Sequence, residues 1–416
     1  MLISFSVGNF RSFKEMQTLD LLCGAINELR ESNTFETPTK ERLLKAAAVY
    51  GANGSGKSNL ISALQFMRFF VTDSSKSSQE NEAIGTQPFQ LDTIFDKKPS
   101  FFEVEFIQGK TKYRYGFEVN RNEIVTEWLF YVPRTRETML FTREQEQLTI
   151  SSKFPEGQAW LTATKKSKLK VRKNALFLST LAQIFGDGST GKIVGWFQTL
   201  AVILNSDDKA LLEFTFEFAS MGGKPATRFL ESLLKEVDVG VQGLEIKIED
   251  AGKDQFGCEV LSQHNFLDKG KQSKKSFNFF EHESEGTKKI FAWGGFLAQA
   301  FQGNAILVVD EFDTKLHPLL TAKILTVFQA STNGNSQLIF STHDTNLLNP
   351  ELLRRDQIWF TEKDKDQATK LYSLLEFKGV RSTEPFEKNY IQGKYGAIPY
   401  LGAFTPWQGA DDGKDK

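Results

Sequence analysis

The sequence predicts an α/β protein with a mixed sheet, an N-terminal antiparallel β meander and a helical insertion. Three observations predict this class. A glycine-rich loop joins an apolar strand at 46–50 to a helical pattern at 58–70. Two turn-forming breaks divide residues 101–131 into three alternating runs, the pattern of a meander. Apolar clusters at helical spacing fill 174–235, and the unbroken apolar strand 305–309 is typical of a sheet covered on both faces.

Length and composition are those of a globular protein of two or three domains. The 416 residues include 51 basic and 52 acidic side chains, so the net charge of -1 excludes the strong positive field of a dedicated nucleic-acid coat. Cys23 and Cys258 lie far apart and outside any CxxC spacing, which argues against a zinc site or a disulfide framework. No run of about 18 apolar residues occurs, so we expect a cytoplasmic protein without a membrane span. The 38 phenylalanines predict a Phe-rich core.

The phosphate-binding loop is the most specific motif. Gly51–Ser58 (GANGSGKS) fills every fixed position of G-x-x-x-x-G-K-[ST], between an apolar strand and a helix. Its glycines let backbone N–H groups surround phosphates, Lys57 reaches the β- and γ-phosphates, and the Ser58 hydroxyl binds Mg²⁺. The expected nucleotide contacts here are Asn53, Gly54, Ser55, Gly56, Lys57, Ser58 and Asn59. The motif predicts ATP and Mg²⁺ as cofactors.

Two further strands are expected to end in catalytic side chains. Asp310 and Glu311 follow the apolar strand, so Asp310 can ligate Mg²⁺ and Glu311 can act as the base that activates water. An N-cap for the helix near Leu320 would explain only one of these two acids. The strand 337–340 leads to His343, which is expected at the same sheet edge, within reach of a γ-phosphate.

Two other segments leave alternatives open. Ser284-Glu285-Gly286-Thr287 precedes a helical stretch, where Ser284, Gly286 and Thr287 form either an anion site or a plain helix cap. The segment 165–173 has six basic residues in nine and is either a phosphate contact or a solvated loop. A second basic segment, at 268–276, is predicted to be a loop that leads into the last third of the chain.

Taken together, these motifs resemble the ABC-type ATPase heads of the SMC and RecF class. The elements that match in order are Asn9-Phe10-Arg11, Gly51–Ser58, Ser284–Thr287, Asp310-Glu311, the D-loop Asp313 and the switch His343. The resemblance implies that Arg11 and Asp313 join the nucleotide contacts. It also implies a homodimer or higher homo-oligomer, in which Ser284 of one subunit caps the ATP of another. Gln90 is a candidate for the Q-loop, with a core-strand position as the alternative.

The layout is also similar to small bacterial ATPases of phage-defence and abortive-infection loci, the RloA and AbiL type, and to the ATPase of the PARIS system. The matching stretches are NFRSF, GANGSGKSN, NALFLS, SEGTKK, DEFDTKLHP, STHDTNLL, RDQIWFTEKD and GKYGAIP. This resemblance implies an effector protein in trans, a Toprim-like or RloB-type nuclease. The signature Ser-Glu-Gly-Thr differs from the Ser-Gly-Gly-Gln common in the wider class.

The expected organisation has five parts, defined on the resemblance to an ABC-type head. They are an N-terminal lobe with the phosphate loop (1–90), the antiparallel meander (91–150), a mainly helical insertion (151–280), a C-terminal lobe with the signature, acidic pair, D-loop and switch His (281–405), and a disordered tail (406–416).

Two functions are consistent with these patterns. The first is an ATP-hydrolysing sensor or scaffold subunit of an anti-phage system that controls a separate effector. The second is a RecF-like DNA-repair ATPase that binds DNA. The near-neutral charge argues against extended DNA contact, so a weak local contact is all that we expect.

Overall fold

The structure, a computed structural model, describes residues 1–76, 82–166, 170–204, 208–237, 240–250, 256–303, 305–330 and 334–399. Its strands are β1 (Leu2–Gly8), β2 (Gln17–Asp20), β3 (Thr34–Glu36), β4 (Arg42–Leu44), β5 (Ala46–Gly51), β6 (Ser100–Gln108), β7 (Thr111–Val119), β8 (Ile124–Val132), β9 (Thr138–Glu144), β10 (Gln147–Ile150), β11 (Leu200–Ile203), β12 (Gly243–Asp250), β13 (Phe256–Asp268), β14 (Lys271–Asn278), β15 (Ile306–Val309), β16 (Gln337–Ser341), β17 (Ile358–Lys363) and β18 (Thr369–Ser373). Its helices are α1 (Arg30–Asn33), α2 (Lys57–Asp73), α3 (Pro155–Lys166), α4 (Phe177–Ile184), α5 (Ser189–Gln198), α6 (Asp208–Glu236), α7 (Phe279–His282), α8 (Glu285–Phe301), α9 (Pro318–Gln329) and α10 (Phe386–Ile391).

The central sheet has the strand order β11-β15-β16-β5-β17-β18. Its strands run parallel from β11 to β17, and β18 pairs antiparallel with β17. The sheet is therefore mixed, as predicted. Parallel strands present their carboxyl ends at one edge, so the loops that follow β15, β16 and β5 are neighbours.

A second, antiparallel sheet has the strand order β10-β9-β8-β7-β6-β1-β2. The predicted meander is thus confirmed by β6, β7 and β8, and it continues through β9 and β10. The N-terminal strand joins it through the pairing of β1 with β6. Helix α2 packs between the two sheets in a core that includes Phe102 and the phenylalanines Phe66 and Phe70.

Both faces of the central sheet are covered, because successive apolar side chains along its strands point alternately into two different cores. Ala47 and Val49 of β5 face α2 and the antiparallel sheet, whereas Ala46 and Ala48 face a second core built around α8, α9 and α6. The architecture confirms the predicted α/β class, with a mixed sheet and an antiparallel meander.

The insertion is only partly helical. Helices α3 to α6 occupy most of 155–236, with α6 broken at Gly223, where φ is 53° and ψ is -135°. The residues that follow form the antiparallel sheet β12-β13-β14, which the helical prediction for 151–280 missed. The prediction of a basic loop at 268–276 is also wrong, because most of this segment forms strand β14, whose lysine-rich sequence lacks the apolar alternation of a half-buried strand.

A buried ion pair connects the antiparallel sheet to α4. Glu127 of β8 accepts hydrogen bonds from the backbone N–H groups of Phe177 and Leu178, at 2.7 and 3.0 Å. Arg143 of β9 lies 3.8 Å from the Glu127 carboxylate and donates to the carbonyl of Ala175 at 2.8 Å. Burial raises the pKa of Glu127 and lowers that of Arg143. The NALFLS stretch (174–179) supplies the start of α4, which this carboxylate caps.

Several sequence alternatives are decided by these elements. Helix α9 is capped by His317, so neither Asp310 nor Glu311 is an N-cap. Gln90 is exposed in a turn, so its core-strand alternative is wrong. Part of the basic segment 165–173 and the whole predicted tail 406–416 lie outside the described residues. None of the described helices is long and apolar enough to cross a membrane.

Candidate functional site

The phosphate loop, the acidic pair and the histidine converge at one edge of the central sheet. Strand β16 lies between β5 and β15, with Val309 paired to Phe340 and Ser341 paired to Val49. The three loops that leave these strands are therefore adjacent, as the sequence predicted.

The phosphate loop has a backbone that requires glycine. Gly51, Gly54 and Gly56 adopt φ values of 155°, 75° and 117°. A Cβ on Gly56 would also collide with the Thr369 side chain, whereas the space around Gly54 is open. Gly54 and its neighbour Asn53 are exposed at the crest of the loop, where phosphates would approach.

Lys57 is held against the loop at the start of α2. Its Nζ donates to the carbonyl oxygens of Gly51 and Ala52 at 2.7 and 3.3 Å. Burial lowers the pKa of Lys57 to about 8, against the opposing effect of the carboxylates led by Asp310. An ammonium group so placed gains more from an arriving polyphosphate than a solvated one would.

Three polar side chains that the sequence analysis did not select, Thr361, Thr369 and Ser12, stabilise the phosphate loop by hydrogen bonds. Ser55 Oγ lies 2.7 Å from Thr361 Oγ1, at the end of β17. Thr369 Oγ1 donates 2.8 Å to the Ser55 carbonyl, and the Ser12 hydroxyl accepts from Asn59 Nδ2 at 2.7 Å. These contacts tie the loop to both β17 and β18 and to the segment after Arg11. The two contacts of Ser55 join residues more than 300 positions apart, and Ser12 and Asn59 are 47 positions apart, so sequence spacing does not indicate these contacts.

The acidic pair is oriented by one serine of β16. The Ser341 hydroxyl donates to Asp310 Oδ1 at 2.5 Å and accepts from the Glu311 backbone N–H at 2.8 Å. Asp310 is fully buried, whereas Glu311 is exposed and has a left-handed φ of 53°. The two adjacent carboxylates therefore differ in orientation: Asp310 is fixed inside the sheet edge, and Glu311 projects outward.

Asp313 joins the D-loop to the switch segment of the same chain. Its Oδ1 accepts from the Thr342 hydroxyl at 2.7 Å and from the His343 backbone N–H at 3.2 Å. Burial, followed by the nearby Lys57 charge, lowers the pKa of His343. The neutral imidazole is therefore favoured near pH 7, in a form that can donate one hydrogen bond.

Arg11 lies beside a cleft of about 290 Å³ that also includes Asn59 and Lys363. Arg11 Nε donates to Gln87 Oε1 at 3.1 Å. Asn9 has a different role, because its buried amide donates to the carbonyls of Phe95 and Lys98 and so fixes the loop on this side. Lys363 is a second cation at the cleft that the sequence did not indicate as a site residue.

The signature segment begins helix α8. Ser284 is the N-cap, and its hydroxyl accepts from the Thr287 backbone N–H at 3.1 Å and lies 2.8 Å from the Thr287 hydroxyl. Ser284 and Glu285 are exposed, and Gly286 leaves room next to the Lys315 carbonyl. The cap reading of Ser284 is thus confirmed, and an exposed capped terminus of this kind is also compatible with an anion contact.

An ion network surrounds this helix start. Lys315, in the loop after Asp313, pairs with Glu285 at 3.2 Å and with Asp208 at 2.8 Å, and Lys289 pairs with Asp208 at 2.5 Å. Glu285 lies where the Ser-Gly-Gly-Gln form of the expected signature has its first glycine, and the Lys315 ammonium offsets the charge of Glu285.

The oxygen donors here suit Mg²⁺. Ser58 is exposed at the start of α2, and the Asp310 carboxylate is held by Ser341 at the end of β15. Mg²⁺ takes hard oxygen ligands and is usually bound by one or two protein oxygens together with substrate phosphates. A hydroxyl, a carboxylate and nucleotide phosphates form such a set.

Comparison with known proteins identifies the family of this chain. Residues 46–185 and 229–349 match the model of the family described as "AAA domain, putative AbiEii toxin, Type IV TA system". The chain belongs to this family. The matched residues of this AAA domain include the phosphate loop, the signature, the acidic pair and His343. No curated protein matches the chain.

Similar solved structures include three SMC heads. The SmcHead bound to the C-winged helix domain of ScpA is 14% identical, with a TM-score of 0.45, covering 89% of this chain and 97% of that one. The SMC head domain from Thermotoga maritima is 12% identical, with a TM-score of 0.43, covering 89% and 98%. The head with an extended coiled coil bound to the C-terminal domain of ScpA, from Pyrococcus furiosus, is 15% identical, with a TM-score of 0.37, covering 89% and 96%.

Proposed function

We propose that this protein binds and hydrolyses ATP as the sensor or scaffold subunit of a cytoplasmic anti-phage, abortive-infection system. The observation that supports this most strongly is the meeting of Lys57, Asp310, Glu311 and His343 at the edge of one sheet in a chain of the AbiEii-type AAA family. The output is control of a separate effector, a Toprim-like or RloB-type nuclease.

Each polar group at the sheet edge has a role suited to its environment. The glycine-rich backbone, with Asn53, Ser55 and Asn59, holds the phosphates, and Lys57 neutralises the β- and γ-phosphates. Ser58 and Asp310 would hold Mg²⁺, which would neutralise negative charge on the same phosphates.

Hydrolysis needs a base and a group that senses the γ-phosphate. Glu311 projects outward from an anchored backbone and accepts the proton of the attacking water. His343 donates a hydrogen bond to the γ-phosphate in its neutral form. Asp313 keeps His343 and the D-loop in one unit, so movement of either one displaces the other.

The active form is a homodimer or higher homo-oligomer. Ser284, Gly286 and Thr287 of one subunit complete the site of the other, because helix N-termini bind anions and this one is exposed. Arg11 lines the cleft beside the nucleotide.

The proposal is tested by infection assays on cells that express this chain with the product of its neighbouring gene. Lys57→Ala removes the phosphate contact and Glu311→Gln removes the base, so both are expected to abolish protection, while exposed Lys153→Ala, the matched control, retains it. Purified wild-type protein should hydrolyse ATP and leave DNA and RNA uncut. Protection unchanged in both site variants would overturn the proposal. Sensitivity to DNA damage in a deletion strain, without any loss of protection, would favour the RecF-like alternative.

A further inference from the structure

A lysine-rich β-hairpin projects from the insertion. Strand β12 pairs with β13 only as far as Gln263, so residues His264–Asp268 pair solely with β14. We call residues 265–275 the basic hairpin. It continues past the edge of the small sheet, and from Asn265 to Lys275 its residues are exposed.

The basic hairpin has an excess of positive charge. Its four exposed lysines are accompanied by a single acid, Asp268, and they are Lys269, Lys271, Lys274 and Lys275. Within the described ranges, no carboxylate lies at ion-pair distance from any of the four. Lysines often protect an exposed edge strand from aggregation. Protection does not explain Leu267, which is 71% exposed at the tip of the same hairpin.

The spacing of the lysines suits the backbone of duplex DNA. Lys271 and Lys275 are four residues apart on one strand and therefore share a face, about 13 Å apart at roughly 3.3 Å per residue. The major groove of B-DNA is about 12 Å wide, and a two-stranded ribbon enters it. Two ammonium groups at this separation can contact phosphates on opposite sides of the groove, a contact that is independent of sequence.

The same face leads to the signature serine. Lys275 Nζ lies 5.1 Å from the centroid of the Phe277 ring, and that ring packs edge-on against His264 at 5.8 Å. His264 Nε2 lies 2.6 Å from Glu283 Oε1, an oxygen that also accepts from the Ser262 hydroxyl at 2.6 Å. Glu283 immediately precedes Ser284. A displacement of the hairpin on binding is therefore transmitted to the signature segment through these direct contacts.

We propose that the basic hairpin binds the phosphate backbone of duplex DNA and that this contact changes the position of Ser284, and with it the rate of ATP hydrolysis. The DNA contact stands independently of the proposed function. The effect on ATP hydrolysis rests on the proposed function.

Binding is tested with the full-length protein and a fluorescein-labelled 30-bp duplex, by anisotropy at about 50 to 200 mM salt. In Lys271→Gln/Lys274→Gln/Lys275→Gln, the slope of log affinity against log salt is expected to fall by about 2, and affinity at 100 mM salt by tenfold or more. The matched control neutralises exposed lysines elsewhere: Lys110→Gln/Lys153→Gln/Lys209→Gln binds like wild type. Equal binding by the two triple variants, or full competition by poly-glutamate at equal charge, overturns the DNA contact.

The connection to the signature is tested by the ratio of hydrolysis rates with and without saturating duplex. His264→Ala is expected to bind duplex like wild type and to bring this ratio close to one, whereas Lys110→Gln retains the wild-type ratio. A ratio unchanged in His264→Ala overturns the connection. Wild-type protein that binds duplex through the hairpin but never hydrolyses ATP would leave the DNA contact standing and remove the proposed ATPase function.

Discussion

Lys57 is expected to make nucleotide affinity depend on pH above neutrality. Burial at the start of α2 lowers its pKa to about 8, and Asp310, Asp313 and Glu311 offset this effect only in part. The bound polyphosphate adds an opposite charge within contact distance and raises the pKa of Lys57 in the complex. Binding must therefore take up a proton once the pH exceeds the pKa of the free protein.

The size of the effect follows from that pKa. With a pKa of about 8, the ammonium form falls from roughly nine tenths at pH 7 to roughly one tenth at pH 9. ATP affinity should then fall about tenfold between these pH values, or about 1.4 kcal/mol. In the absence of nucleotide, the lowered pKa of Lys57 affects the free energy of unfolding. Burial of the charged lysine destabilises the folded protein below about pH 8, and this destabilisation decreases as the pH rises from about 8 toward the pKa of lysine in the unfolded chain.

The assay is titration with a fluorescent ATP analogue in the presence of Mg²⁺ from pH 6.5 to pH 9.5. Calorimetry in buffers of different ionisation enthalpy should show proton uptake on binding at pH 8.5. Lys57→Arg is the control, because its guanidinium does not titrate in this range, and its affinity should be flat with pH. A wild-type affinity that changes less than twofold, or an Arg variant with the same pH dependence, would refute this account of Lys57.

Three further predictions concern single side chains. Ser284→Arg should leave ATP binding by one subunit unchanged but abolish ATP-dependent dimerisation in light scattering; normal dimerisation would remove Ser284 from the interface. Asp313→Ala releases Thr342 and His343, so steady-state hydrolysis should fall by about tenfold or more with little change in ADP affinity. Glu127→Ala leaves a buried cation unpaired and should cost about 3–5 kcal/mol in urea unfolding. The exposed control Glu245→Ala should cost below about 1 kcal/mol, and equal losses would contradict the account of the buried pair.

The sequence predicted the parts of this fold that depend on local periodicity. The strand before Gly51, helix α2 and the meander each have a regular apolar pattern, and each is present. The sheet β12-β13-β14 was missed although β12 alternates Leu244, Ile246 and Ile248 with charged residues; only β14, whose one apolar residue is Phe277, lacks that pattern. The prediction of a helical insertion extended the pattern of α6 beyond its end.

Only the residues of the candidate site that belong to sequence motifs could be predicted. The convergence of Lys57, Asp310 and His343 follows from strand ends in a parallel sheet, and the structure brings them together. The serine that orients Asp310 and Glu311, Ser341, was passed over because a hydroxyl at a strand end has no distinctive spacing. Such supporting contacts arise from tertiary pairing, which single-sequence patterns do not encode.

The position of Lys315 suggests how nucleotide state and the insertion affect each other. Lys315 lies two positions after Asp313, which holds the switch His343. The Lys315 ammonium pairs with Asp208 at the start of α6 and with Glu285 at the start of α8. A shift of the D-loop when the γ-phosphate is lost would therefore pull on both helices at once. Ligand binding can bias only those states that it contacts differently, and this short ionic chain gives the γ-phosphate a physical connection to the insertion. An effector that binds the insertion would then experience ATP and ADP forms as two different surfaces.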